Sequence, residues 1–145
     1  MRTINSKAAV VCSKTIGIQA DAKTVWKVLT DINMWPTWQT DIVKANLKNE
    51  FREGAVFIWK TGGVTIESTI HTVVPERYFG WTGKTFGLFA IHNWTLEEQD
   101  GITQVRVDES MEGFLAVLFK RSFNRNLEKG MQHWLNLLKE QCERL

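Results

Sequence analysis

The chain has 145 residues, of which 43% are hydrophobic and 23% charged, and its formal net charge is +2. This length is typical of one folded unit, so we expect residues 1–145 to form a single domain. The apolar content is too high, and the net charge too low, for a disordered chain. No apolar run approaches the roughly 20 residues that span a bilayer, which predicts that this is not an integral membrane protein.

The termini and the charge balance narrow the cellular context. The only apolar stretch within residues 1–14 is residues 8–12, which is too short for a secretory signal, so we expect a cytoplasmic location. Cys12 and Cys142 form no CxxC motif, and in a reducing compartment they are more typical of small buried hydrophobes than of a disulfide. The nearly neutral mixture of charges argues against a nucleic-acid partner. Nothing in the composition indicates the oligomeric state.

The N-terminal third predicts a strand followed by two short helices. Residues 10–18 are rich in β-branched side chains and predict the strand. Asp21 is a candidate N-cap for the first helix, whose apolar face would hold Val25 and Leu29. The segment Trp35-Pro36-Thr37-Trp38 predicts a second short helix or a tight turn.

From Ile42 onwards the apolar period changes to two, which predicts six more strands. Their predicted ranges are 42–47, 55–61, 64–74, 78–85, 88–98 and 102–111. Gly62-Gly63 and Asp100-Gly101 each predict a two-residue hairpin turn. The first of these turns places Trp59 opposite Ile66, with His71 on the outer face of the sheet.

After Gly113 the apolar period becomes helical and predicts a helix of roughly 30 residues. The residues that recur at intervals of three and four are Phe119, Phe123, Leu127, Met131, Trp134, Leu138 and Leu145. An antiparallel sheet with helices on one face is the α+β class, and a strongly curved sheet gripping this helix would bury its aromatic stripe. Gly130 lies on or beside the inward face, where its missing side chain would open a void.

The Asp100-Gly101 turn places His92 opposite Glu109 on neighbouring strands. A slip of one residue would turn an apolar set to the wrong face of the sheet. On the favoured register the inward side chains are Ala90, Trp94, Leu96, Val105, Val107 and Met111, with His92 and Glu109 among them. Three roles for the His92–Glu109 pair stay open. The two side chains could satisfy each other's hydrogen bonds or be hydrated at a rim, they could anchor a ligand in an apolar pocket, or they could act in general acid–base catalysis.

The chain also carries seven tryptophans and eight phenylalanines, which would form a core or wall a cavity. Four segments carry a family resemblance: residues 22–38, the Pro75-Glu76-Arg77 break before Trp81, residues 92–105, and residues 109–113 leading into the final helix. In this order they resemble the SRPBCC superfamily (START-like, helix-grip fold), especially its polyketide cyclase/dehydrase-like bacterial branch.

The resemblance implies a seven-stranded curved antiparallel sheet wrapped around the C-terminal helix, with two short helices between strands 1 and 2 and an enclosed hydrophobic cavity. Ligands of the superfamily are lipids, sterols, polyketides, hormones and other apolar or aromatic small molecules. The superfamily includes carriers, cyclases, aromatases, hydrolases and chaperone-activating proteins, so membership does not name a reaction.

The sequence favours binding of a hydrophobic or aromatic small molecule, lipid-like or polyketide-like, between the sheet and the C-terminal helix. The candidate ligand-binding residues are Trp59, Trp81, His92, Trp94, Val107, Glu109, Met111, Phe119, Phe123, Leu127, Met131 and Trp134. We expect no cofactor, and the dispersed histidines indicate no metal site.

Two alternatives remain. In a polyketide cyclase, dehydratase or hydrolase, His92 would move protons and Glu109 would orient its imidazole. A protein-interaction or chaperone-activator-like module would need an exposed apolar patch, whereas the outer faces are expected to be ordinarily polar.

Overall fold

A computed structural model describes residues 1–145. The strands are β1 (Val10–Ile18), β2 (Ile42–Leu47), β3 (Val56–Thr61), β4 (Val64–Val74), β5 (Tyr78–Thr85), β6 (Leu88–Gln99) and β7 (Ile102–Glu112). The helices are α1 (Ala22–Thr30), a 3₁₀ helix (Ile32–Thr37), α2 (Phe114–Leu118) and α3 (Lys120–Arg144).

All seven strands form one antiparallel sheet in the order β1-β7-β6-β5-β4-β3-β2. The pairing register shifts within β2 and β4, and such bulges bend a strand. The sheet curves around α3, while α1 and the 3₁₀ helix carry the chain from one edge strand to the other. This is the α+β helix-grip fold.

The local signals in the sequence act as predicted. The Asp21 carboxylate accepts a hydrogen bond from the Thr24 backbone N–H at 2.8 Å, which caps α1 and lowers the pKa of Asp21. Asp100 and Gly101 have φ values of 56° and 77°, the left-handed pair that a type I′ turn requires. The predicted register follows, with His92 opposite Glu109 and Trp59 opposite Ile66.

The predicted long C-terminal helix is confirmed, but it is shorter than the roughly 30 residues expected, because the segment after Gly113 divides at Phe119 into α2 and the 25-residue α3. Gly113, at φ 112°, approaches the β5–β6 turn so closely that an added Cβ would lie 2.3 Å from the Gly87 carbonyl oxygen. Leu115 also donates its backbone N–H to that carbonyl at 3.3 Å. These contacts hold α2 against the turn, so the chain changes direction before α3 crosses the sheet.

Polar contacts hold α3 to the β1 edge of the sheet. The Asn124 side chain accepts from the Val11 backbone N–H at 3.2 Å and donates to the Ala9 carbonyl at 3.0 Å. Near the other end, Lys139 Nζ donates to the Gly17 carbonyl at 2.8 Å. The helix backbone therefore lies close to β1 and α1, and the space towards the middle strands is left to side chains.

Aromatic side chains fill much of that space. Trp35 lies at the centre of the cluster, with ring centroids 5.4 to 5.9 Å from those of Phe57, Trp59, Trp81 and Trp134. Its indole N–H donates to the Leu29 carbonyl at 2.9 Å, which satisfies the one polar group of this fully buried residue. The tryptophans therefore build a core, and some of them also wall a cavity.

Cys12 and Cys142 are both free thiols, and Cys142 is buried. None of the helices combines the length and the apolar character needed to cross a bilayer.

Candidate functional site

A cavity of about 360 Å³ lies between the sheet and α3. Its floor is formed by buried aromatic residues, including Trp81 and Trp134, and its rim by the exposed residues Asp41, Lys84 and Asn126. The volume falls within the range of small-molecule sites. Because α3 is held against the β1 edge, the opening lies on the side of the β3–β4 and β5–β6 turns.

Nine of the twelve candidate residues line this cavity. They are Trp59, Trp81, His92, Glu109, Met111, Phe123, Leu127, Met131 and Trp134. Gly130 lines the cavity as well, at the position where the sequence predicts a void. A Cβ added to this residue would meet no atom within 4 Å. The missing side chain therefore leaves open volume at the surface of α3.

Three candidate residues lie outside the cavity. Trp94 is fully buried and packs edge-on against Trp134 with ring centroids 5.5 Å apart, so it lies behind the cavity wall. Val107, its partner on β7, is buried in the same layer. Phe119 is 52% exposed and occupies the break between α2 and α3.

Several lining residues were missed by the sequence analysis. They are Gln39, Asp41, Ile42, Thr61, Gly62, Val64, Ile66, Gly83, Lys84, Thr85, Leu88, Ala90 and Asn126. Some carried a usable signal, because Leu88 and Ala90 alternate with His92 along β6. By contrast, residues 39–42 belong to the segment between the 3₁₀ helix and β2, and no local pattern indicates their position.

His92 and Glu109 form a buried polar pair on the cavity wall. The imidazole is 3% exposed, and its Nδ1 hydrogen-bonds the Glu109 carboxylate. Since a carboxylate only accepts, Nδ1 is the donor, and the tautomer that places its proton there has its lone pair at Nε2. The ring also lies flat on Trp81, so both its tautomer and its orientation are set by neighbours.

Two nitrogen atoms in this wall have no hydrogen-bond partner among the protein's atoms. They are His92 Nε2 and Trp134 Nε1, and neither is reached by solvent. The two rings are neighbours, with centroids 5.5 Å apart. This wall therefore holds one free acceptor and one free donor. Each unpaired buried polar group lowers the stability of the folded protein by roughly 1–3 kcal/mol.

Among the other polar lining residues, Gln39 is buried and its side-chain oxygen accepts from the Asp41 backbone N–H at 2.7 Å, whereas Lys84 and Asp41 lie at the rim. Lys84 Nζ is 3.3 Å from Glu67 in an exposed ion pair, and Asp41 lies 3.9 Å from His133 Nε2. No cluster of three or more His, Cys, Asp or Glu side chains is placed to hold a metal ion. The chemistry of the site therefore rests on an apolar cavity and one oriented imidazole.

Comparison with known proteins gives a consistent assignment. A family model described as "Polyketide cyclase / dehydrase and lipid transport" matches residues 9–143. No curated protein matches this sequence at a significant level.

Solved structures reproduce the fold at low identity. A hypothetical protein, jhp0584 from Helicobacter pylori, superposes with a TM-score of 0.84 at 18% identity, covering 98% of this chain and 97% of that one. A START superfamily protein from Mycobacterium smegmatis gives a TM-score of 0.75 at 15% identity, covering 92% and 97%. The di-domain ARO/CYC StfQ from the steffimycin biosynthetic pathway gives 0.71 at 17% identity, covering 92% of this chain and 44% of that one.

The sheet order, the long C-terminal helix and the cavity between them thus define a protein of the helix-grip class. Within that class, the chain belongs to the polyketide cyclase/dehydrase and lipid transport family.

Proposed function

We propose that this protein binds a hydrophobic or aromatic small molecule in the cavity between the sheet and α3. The observation that carries the proposal is the cavity of about 360 Å³, whose floor is aromatic and whose wall holds one oriented polar pair. Sites of this kind use apolar walls for affinity and a few polar groups for orientation.

The polar pair defines the chemistry of the ligand. Glu109 accepts from the Nδ1–H of His92, and in that tautomer Nε2 is an acceptor for a ligand hydroxyl or N–H. Trp134 Nε1 is a donor for a ligand carbonyl or ether oxygen. Because neither atom is reached by solvent, side chains of the cavity wall must shift on binding for these bonds to form. An apolar skeleton with a hydroxyl and a carbonyl fits this arrangement.

The experiment is a fluorescence titration with N-phenyl-1-naphthylamine, an uncharged aromatic probe whose emission rises in apolar surroundings. The wild-type protein is compared with Gly130→Leu, which adds an isobutyl group at a cavity-lining position whose Cβ site is open. The matched control is Asn136→Leu, which adds a leucine on the exposed side of the same helix, outside the cavity.

We expect saturable probe binding by wild type and by Asn136→Leu, and at least about tenfold weaker binding by Gly130→Leu, because the side chain occupies the ligand's volume. Equal binding by all three proteins, or no saturable binding by wild type, would overturn the proposal. Thermal unfolding of each variant checks that the fold is retained.

A second candidate function, an acid–base enzyme acting on a polyketide-like substrate, is favoured by the orientation of His92. A carboxylate on Nδ1 fixes the tautomer in which Nε2 accepts a proton, as in a general base. Once turnover of a substrate is measured, His92→Gln should lower kcat by about 10²–10⁴-fold, the usual contribution of a positioned base. Unchanged kcat in that variant would exclude this role.

A further inference from the structure

The expectation of ordinarily polar outer faces fails at one end of the molecule. Exposed apolar side chains gather where α2 packs against the β5–β6 turn, and we call this cluster the apolar tip: Phe86, Phe114, Val117, Leu118 and Phe119. Phe86 is 80% exposed, and Val117 and Leu118 are each 69% exposed. Phe86 and Phe114 pack edge to face with centroids 5.5 Å apart, so the cluster is continuous between the turn and the helix. Exposed apolar clusters mark interaction surfaces.

The apolar tip borders the cavity on two sides. Thr85 and Leu88, which flank the β5–β6 turn that carries Phe86, both line the cavity. On the helical side, Phe119 packs against Phe123, another lining residue, with ring centroids 6.4 Å apart. Whatever covers the tip therefore lies beside the opening of the cavity.

Basic side chains lie next to the tip, most of them on the first turns of α3. Lys120 and Arg121 follow Phe119 directly and are exposed, and Arg125 lies one turn further along α3. Residues 114–125 contain no acidic residue. Lys84, two positions before Phe86, is also exposed, although it forms an ion pair with Glu67. An apolar surface bordered by Lys and Arg complements an anionic bilayer. The apolar side chains can contact acyl chains, and the basic side chains can contact anionic headgroups.

We infer that the apolar tip docks on the surface of a membrane containing anionic lipids, with the opening of the cavity next to the bilayer. Charge favours this partner over a second copy of the chain, because tip-to-tip pairing would bring Lys120 and Arg121 close to their own counterparts. The docking is peripheral, through one short helix and one turn. It does not depend on which molecule the cavity binds.

The experiment is co-sedimentation of the full chain with vesicles made of equal parts phosphatidylglycerol and phosphatidylcholine, and with vesicles of phosphatidylcholine alone. Wild type should partition onto the anionic vesicles and release as salt is raised. The variant Val117→Glu/Leu118→Glu should bind at least about tenfold more weakly, because it puts charge where acyl chains would lie. Lys120→Gln/Arg121→Gln should lose about fivefold for each charge, or about 25-fold in all.

Control positions exist on β2, the edge strand at the far end of the sheet, and directly after it. Val43→Glu, at a side chain that is 70% exposed, is the control for introducing negative charge at an exposed apolar position. Lys44→Gln/Lys48→Gln, at two exposed lysines, is the control for removing two positive charges. Both controls should bind vesicles as wild type does. The inference is overturned if wild type does not partition onto anionic vesicles, or if tip and control variants lose binding equally. Self-association that the tip variants abolish, without vesicle binding, would assign the surface to a second copy instead.

Discussion

The imidazole of His92 lies flat against the indole of Trp81, with ring centroids 4.3 Å apart and planes 6° from parallel. The same imidazole binds Glu109 at its edge, and Trp134 lies 5.5 Å away by ring centroid. The cavity wall thus holds a titratable ring whose face and edge are both fixed. Such a ring can orient a ligand. Because the ring is buried, the stability of the protein also depends on its hydrogen bond with Glu109.

Breaking the His92–Glu109 pair should cost more stability than replacing it. In Glu109→Leu the buried Nδ1–H loses its acceptor, so we expect a loss of about 3 kcal/mol in the free energy of unfolding. The double variant His92→Phe/Glu109→Leu removes both polar groups and should recover most of that loss. Urea denaturation of both single variants, the double variant and wild type closes the cycle. Additive losses would show that the two side chains contribute independently.

Two glycine-to-alanine substitutions should shift stability in opposite directions. Gly101 has φ 77° in the β6–β7 turn, so Gly101→Ala strains the turn and should destabilise the protein by about 1 kcal/mol. Gly130 lies within α3 with open space at its Cβ position, so Gly130→Ala should stabilise by about 1 kcal/mol. The urea midpoints test both. A stabilising Gly101→Ala would refute the turn that sets the His92 register.

Much of the fold could be predicted because its signals are local. The period of two along the strands and the left-handed pair Asp100-Gly101 depend only on neighbouring residues, and they fixed the register that brings His92 to Glu109. The break at Phe119 could not be predicted, since it follows from contact between Gly113 and Gly87, 26 positions apart by their numbers. The place of Trp94 behind the cavity wall could not be predicted either. It depends on where α3 packs, and a contact distant in sequence, between Asn124 and Val11, holds α3 at β1.

Stability should fall as pH drops below 6.5, the ordinary pKa of His71, in part through this residue on the convex face. Burial is the main cause that lowers the pKa of His71; the charges of Arg2 and the N-terminus add to it, and the Asn93 side chain and the charge of Glu53 oppose it. A lowered folded-state pKa means that the unfolded chain takes up the proton first, so stability present above pH 6.5 is lost below it. His71→Gln should flatten this dependence in urea denaturation between neutral and mildly acidic pH. Identical slopes would contradict it.

The two cysteines should differ in reactivity. Burial raises the pKa of the Cys142 thiol to about 12, and this side chain, carried by α3, is buried in the core. Burial also raises the pKa of Cys12, but that side chain is partly accessible on β1. A thiol reagent at mildly alkaline pH should therefore modify Cys12 first in the native protein, and both residues in denaturant. Mass spectrometry of the labelled peptides gives the order, and faster labelling of Cys142 would refute the packing described.

The proposed binding site is tested most directly by two-dimensional NMR of the seven indole N–H groups during titration with N-phenyl-1-naphthylamine. The signals of Trp59, Trp81 and Trp134, which line the cavity, should move together and saturate. The signal of Trp26, which packs on Phe51 and Phe79 outside the cavity, should stay in place. No movement of the three lining indoles, or movement confined to tryptophans elsewhere, would contradict a ligand site between the sheet and α3.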